Sequence, residues 1–252
     1  MSMNTSLRLG CFLMVGGFLC LTSSAVAQVN MQLTGVGQGN VMAGVYTSPY
    51  TGTINGVSST IICDDFTDDT FFWETWKATE STVTNLGTTR FDVPPPVGHT
   101  QQNDYDAAAA LAILLLQTSD PTQKGYISFA IWNIFSPAAV AAWLQSNNHD
   151  PSSTIYNAAT GYATKALNGT LSGTYSSGGF DGVSFSNVDV YTPIAGSAKG
   201  CYSDGSCPKN SPQEFMAISA PEAPAPLVLA VDLLVLLAVV VVFRRRTGLA
   251  TK

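Results

Sequence analysis

The order of elements along the chain predicts an α+β fold: a β-rich, sandwich-like domain carrying a helical insertion in its middle. Three observations predict it. Short runs of β-branched and aromatic residues, broken by Gly, Pro and Asn, occupy residues 32–63. Ala- and Leu-rich stretches with helical character follow between residues 107 and 167. Strand-like runs return after the Gly- and Ser-rich stretch that begins at Asn168.

Each element follows from its residues. Residues 41–46, 51–54 and 59–63 read as strands, and the Asn55-Gly56 pair between two of them signals a type I′ hairpin. Residues 71–77 suit a further strand, with Trp73 and Trp76 on opposite faces, so that one is exposed. Pro94-Pro95-Pro96 breaks the chain. Asp104 or Asp106 caps a helix over residues 107–117, and Asp120-Pro121 ends it. Residues 126–135 and 138–145 read as two helical pieces joined at Pro137, whose apolar faces bury Trp132 and Trp143. Asp150-Pro151-Ser152 starts another helix that runs to Leu167. Residues 183–191 and 214–219 suit the closing strands.

The composition excludes several functions. Of 252 residues only 11% are charged, with 11 Lys+Arg against 17 Asp+Glu. A nucleic-acid surface needs clustered basic residues, so no nucleic-acid partner is expected. His99 and His149 are the two histidines and lie in polar, loop-like stretches. They leave little room for a zinc site or for histidine-based catalysis. No cofactor, metal site or catalytic residue is expected.

Both ends carry delivery signals. Arg8 is the one charge in the first 27 residues; an apolar run over residues 9–21 follows, then Ala25-Val26-Ala27. That pattern is a signal peptide (residues 1–27) cut after Ala27 by signal peptidase. At the other end, residues 227–243 form an apolar run stopped by Arg244, Arg245 and Arg246. As a helix it spans about 25 Å at 1.5 Å per residue, enough for a single transmembrane helix whose arginines snorkel at its end. Asp232 in its middle costs roughly 2.5–3.5 kcal/mol. The surrounding Leu, Val and Phe residues outweigh it at about −0.3 to −0.6 kcal/mol each. The arginines stay on the cytoplasmic side, so residues 28–220 face outward as one exported domain. That stretch keeps all acidic residues but Glu222 and Asp232, and 6 of the 11 basic ones, for a net charge of −9.

Pro221-Glu222-Ala223-Pro224, the apolar helix and the three arginines together resemble a PEP-CTERM sorting signal (residues 221–252). The resemblance implies an exosortase-type enzyme as partner, removal of the tail, and display at or release from the cell surface, alongside exopolysaccharide. Pro221, Glu222, Pro224 and Arg244, Arg245 and Arg246 are the residues that carry it. Ala223 separates the glutamate from the second proline, so plain inner-membrane anchoring with an outward-facing domain remains the other reading.

Three cysteines belong to the exported part. Cys201 and Cys207 flank Tyr-Ser-Asp-Gly-Ser, a turn-like loop that makes their disulfide the simplest pairing. Cys63 is then a buried free thiol, or pairs with one of the other two. Ile61-Ile62-Cys63-Asp64-Asp65 and Ala130-Ile131-Trp132-Asn133-Ile134 resemble two motifs of surface thioester domains. In that family a cysteine and a glutamine form an internal thioester that acylates a nucleophile on a host or polymer. Ser128 stands where the helical motif carries glutamine, and a hydroxyl cannot supply the acyl carbon. The resemblance thus implies the scaffold, with Cys63 and Ser128 as inactive thioester-like positions. Asp64, Asp65, Asp68 and Asp69 match no calcium-loop spacing and read as a solvated acidic loop. The expected function is a non-catalytic, exported bacterial surface or extracellular-matrix protein; the alternative is an adhesin or glycan-binding protein on this thioester-domain-like scaffold.

Overall fold

The computed structural model describes residues 27–87, 89–91, 100–147, 153–171, 185–200 and 211–219. The expectations for the signal segment before Ala27, for Cys201 and Cys207, and for the tail from Pro221 to Arg246 lie outside these residues. Among the described residues no helix is long and apolar enough to cross a membrane.

The elements in chain order are β1 (Gln28–Gly35), β2 (Val41–Met42), β3 (Val45–Tyr46), β4 (Tyr50–Ile54), β5 (Val57–Cys63) and β6 (Thr75–Thr82). Then come α1 (Gln101–Gln117), α2 (Pro121–Phe135), α3 (Pro137–Ser146) and α4 (Thr154–Leu167), followed by β7 (Val188–Pro193) and β8 (Phe215–Ile218). The helical insertion thus falls between β6 and β7, and the chain is a mixed α+β fold.

The sheet is not a sandwich. Six strands close into an antiparallel barrel in the order β1-β4-β5-β8-β7-β6. Closure depends on β1, which the sequence reading lacks. Its eight residues pair with β4 on one edge and with β6 on the other. A register shift against β4 between Leu33 and Gly35 adds the local bend that closure requires. Val29, Met31 and Leu33 alternate inward along β1 and are buried. Inside the barrel Trp76 stacks on Phe215 at 5.7 Å, and Tyr50 meets Phe215 edge-on at 6.1 Å. Ile62, Val190 and Met216 face the other way and are buried too, because α1 lies against β8.

The Asn55-Gly56 turn joins β4 to β5 with φ of +51° and +80°, as expected. Residues 41–46 differ from the single strand expected there. They fold back on themselves at Ala43 and Gly44, with φ of +49° and +81°, to make the two-residue strands β2 and β3. The strand expected at residues 71–77 starts later, at Thr75, leaving Trp73 in the preceding turn, exposed, and Trp76 buried.

Helix starts also shift. Thr100 caps α1, its hydroxyl accepting from the Asn103 N–H. Asp120-Pro121 opens α2 as well as closing the stretch before it. The Asp120 carboxylate accepts from the Thr122 N–H, and Pro121 occupies the first turn, where its missing N–H costs nothing. Ser153 caps α4 through the Tyr156 N–H. Small faces let the helices approach closely: Ala107–Ala110 and Ala112 on α1, and Ala159, Ala163 and Ala166 on α4, are all buried.

Candidate functional site

The site forms where β5 leaves the barrel beside the start of β8. Cys63 pairs with Phe215, and the ladder continues as the Asp64 N–H donates to the Glu214 carbonyl at 3.4 Å. The chain on either side is held firmly. The Cys63 N–H donates to Ser48 Oγ at 3.0 Å, and Trp132 Nε1 donates to the Cys63 carbonyl at 3.0 Å. The Gln213 N–H donates to Thr70 Oγ1 at 2.7 Å.

This framework brings a glutamine to the cysteine from 150 positions away. The Cys63 thiol donates to the Asp65 carbonyl at 2.9 Å, and Gln213 Nε2 donates to the same oxygen at 2.8 Å. The two bonds limit the Sγ to Nε2 separation to about 6 Å. Cys63 is a fully buried free thiol. Burial pushes the thiol pKa well up, and the neighbouring Asp65 and Asp64 add to that shift.

Ser128 has a different part. It is fully buried on α2, and its hydroxyl donates to the Lys124 carbonyl one turn earlier. The helical motif's contact with the cysteine comes from Trp132, one turn further on. Trp132 packs against Phe66 and Phe129 with ring centroids 5.0 Å apart in each case.

The acidic stretch is not the solvated loop expected from sequence. Asp64 and Asp65 are fully buried. For Asp65 the reason is Arg90, whose guanidinium pairs with Asp65 and Asp68 and donates to the Pro212 carbonyl at 2.7 Å. Thr67 adds its N–H and hydroxyl to Asp65 Oδ1 at 2.8 and 2.9 Å. Among the described residues no group of three or more His, Cys, Asp and Glu is arranged to hold a metal ion.

Behind Cys63 and Gln213 lies a second buried acid system. Glu214 accepts from the Tyr105 hydroxyl at 2.5 Å, from the Arg90 N–H at 2.8 Å and from the Thr192 hydroxyl. Asp64, opposite it in the ladder, meets no N–H or O–H donor with either side-chain oxygen. Burial raises both carboxyls, and the neighbouring Glu214 raises Asp64 further. Two acids placed this way resist ionising together.

A pH dependence with a definite sign follows. Asp64, Glu214, Glu74, Asp68 and Asp106 are all raised, each chiefly by burial. A carboxyl whose folded pKa exceeds its unfolded value binds protons on folding. Its stabilisation is complete below the unfolded pKa, about 4, and is lost as pH rises through the folded pKa. Thermal unfolding midpoints measured from pH 8 to pH 5 should therefore rise on acidification. Asp64→Asn, which removes one of these carboxyls, should flatten the slope. A midpoint that falls over this range in the unmodified protein contradicts the upward shift of these carboxyls.

A cleft of about 820 Å³ opens at this end of the barrel, lined by Leu33 at the end of β1, Tyr50 at the start of β4, and Gln213. Phe66, Trp132 and Trp143 form its apolar floor. Tyr46, Phe72 and Trp73 stand on the rim, 52%, 42% and 67% exposed, with Tyr46 and Phe72 edge-to-face at 5.8 Å. Trp73 has φ of +70°, a conformation that costs a bulky residue about 1–3 kcal/mol. Its N–H donates to the Leu33 carbonyl at 2.7 Å, and the Glu74 carboxylate accepts from the Phe71 N–H at 3.0 Å, which holds the turn.

Fold and site together define a closed antiparallel barrel with a helical insertion, bearing a buried cysteine and a glutamine side by side at one mouth. Among solved structures the chain is similar to the N-terminal thioester domain of a surface protein from Clostridium perfringens. The identity is 9% and the TM-score 0.38, over 76% of this chain and 98% of that one. No family model matches the chain, and no curated protein matches it.

Proposed function

We propose that the chain is an exported surface or extracellular-matrix protein whose domain closes an internal thioester between Cys63 and Gln213 and spends it once on a neighbouring nucleophile. The observation that supports this reading is the shared acceptor: thiol and carboxamide both bond the Asp65 carbonyl, at 2.9 and 2.8 Å. Bond formation requires Cys63 Sγ and Gln213 Cδ to close to about 3–3.5 Å.

The chemistry balances within the chain. Cys63 Sγ attacks Gln213 Cδ, the S–C bond forms, and the C–N bond breaks. The thiol proton leaves on the amide nitrogen as ammonia. A nucleophile bearing a proton then attacks the thioester carbonyl, Gln213 keeps the new acyl bond, and Cys63 departs as S–H. Burial of Cys63 keeps water from the bond until a partner enters by the cleft.

Delivery rests on the two ends. The signal segment ending at Ala25-Val26-Ala27 brings in signal peptidase. The tail, with Pro221, Glu222, Pro224, the membrane helix at 227–243 and Arg244–Arg246, brings in an exosortase-type enzyme or anchors the domain facing outward.

Methylamine tests the reading. Treatment of the native protein should release a thiol at Cys63 and leave a methylamide on Gln213, found by peptide mass spectrometry. A protein whose Cys63 is already a thiol, and whose Gln213 gains nothing, overturns it.

A further inference from the structure

We infer that the cleft at the barrel mouth docks a lysine- or arginine-bearing extended peptide, gripped by the rim tryptophan Trp73 and the carboxylate of Asp69. This recognition is non-covalent and requires neither Cys63 nor a thioester, so it stands apart from the proposed bond chemistry.

Charge selects the occupant. Asp68 and Asp69 line the cleft, and among the described residues none that lines it is a lysine or arginine. Arg90 reaches Asp65 and Asp68, one positive charge against three carboxylates counted with Asp69. Asp69 is exposed at the opening. A cationic group approaching this mouth is attracted, and an anionic one is repelled.

The aromatic rings supply the second half of the recognition. A cation over the face of a tryptophan, tyrosine or phenylalanine gains from the ring quadrupole, tryptophan most of all. Tyr46, Phe72 and Trp73 offer such rings within one rim, and Trp73 is presented by a strained turn that two hydrogen bonds maintain. The apolar floor below takes the methylene stems of lysine or arginine, which bury while their heads stay polar. A volume of about 820 Å³ exceeds what a lone ammonium ion needs and accommodates several residues of a chain.

Titration of the purified full-length protein with trilysine, followed by tryptophan fluorescence, tests this. Binding should weaken at least tenfold in Trp73→Ala and in Asp69→Asn. It should weaken as salt is raised, and it should be unchanged in Asp106→Asn, which removes a carboxylate outside the cleft. Binding should also persist in Cys63→Ala, so a failed thioester leaves this inference standing and failed binding leaves the thioester untouched. Asp69→Asn is isosteric and exposed, and decides the matter if Trp73→Ala does not fold. Absence of trilysine binding overturns the inference. So does binding indifferent to Asp69→Asn, or a neutral oligosaccharide that occupies the cleft in trilysine's place.

Discussion

Replacing Glu214 by alanine should destabilise the domain by at least about 3–5 kcal/mol, a large share of the 5–15 kcal/mol that holds a typical domain together. The carboxylate is fully buried and joins four parts of the fold. It accepts from Tyr105 on α1, from Thr192 on β7 and from the Arg90 N–H, and its own backbone carbonyl accepts from the Asp64 N–H at the end of β5. Alanine leaves the buried Tyr105 hydroxyl without an acceptor, at about 1–3 kcal/mol, strips the part-buried Arg90 N–H and Thr192 hydroxyl of theirs, and opens a cavity besides. Glu214→Gln keeps the shape and one acceptor oxygen, and its amide N–H can serve an ionised Asp64. It should cost less than half as much. Urea unfolding of the two variants checks the ranking, and an alanine variant within 1 kcal/mol of the parent would contradict it.

Trp132→Ala should rank next. The indole is buried between Phe66 and Phe129 and is among the largest fully enclosed side chains. Its removal costs about 3–5 kcal/mol in lost transfer energy and cavity. It also strips the Cys63 carbonyl of its N–H donor, for a further 1–3 kcal/mol or so. Trp132→Phe separates the two effects, since it keeps most of the volume and loses the hydrogen bond. The phenylalanine variant should fall between parent and alanine in urea unfolding, and equal stability of phenylalanine variant and parent would remove the hydrogen bond from the explanation.

Much of the architecture is local and therefore legible in the residues. Asn55-Gly56 dictates its hairpin because both positions need positive φ. The alanine- and leucine-rich middle makes helices wherever it is placed. Barrel closure is not local. Val29, Met31 and Leu33 alternate as a strand should, but Gln28, Asn30 and Gln32 dilute the β-signal between them, and nothing in eight residues says that both edges are paired. The acidic stretch misleads for a similar reason. Asp64 and Asp65 look like solvated charges until Arg90 and Glu214, distant in sequence, come alongside. The site shows the same limit. The motif around Trp132 correctly points a helix at Cys63, yet the carboxamide beside that thiol comes from Gln213, ahead of β8, where antiparallel pairing alone delivers it. A glutamine next to a glutamate before a strand carries no pattern that announces a partner 150 residues back.

Intact mass spectrometry of the unmodified protein, set beside Cys63→Ala and Gln213→Ala, tests the pairing of these two residues most directly. The unmodified protein should be lighter than its residues require by one ammonia, and each variant should show its full mass. An unmodified protein of full mass, with a thiol that titrates once the chain is unfolded, would mean that Cys63 and Gln213 lie together without joining.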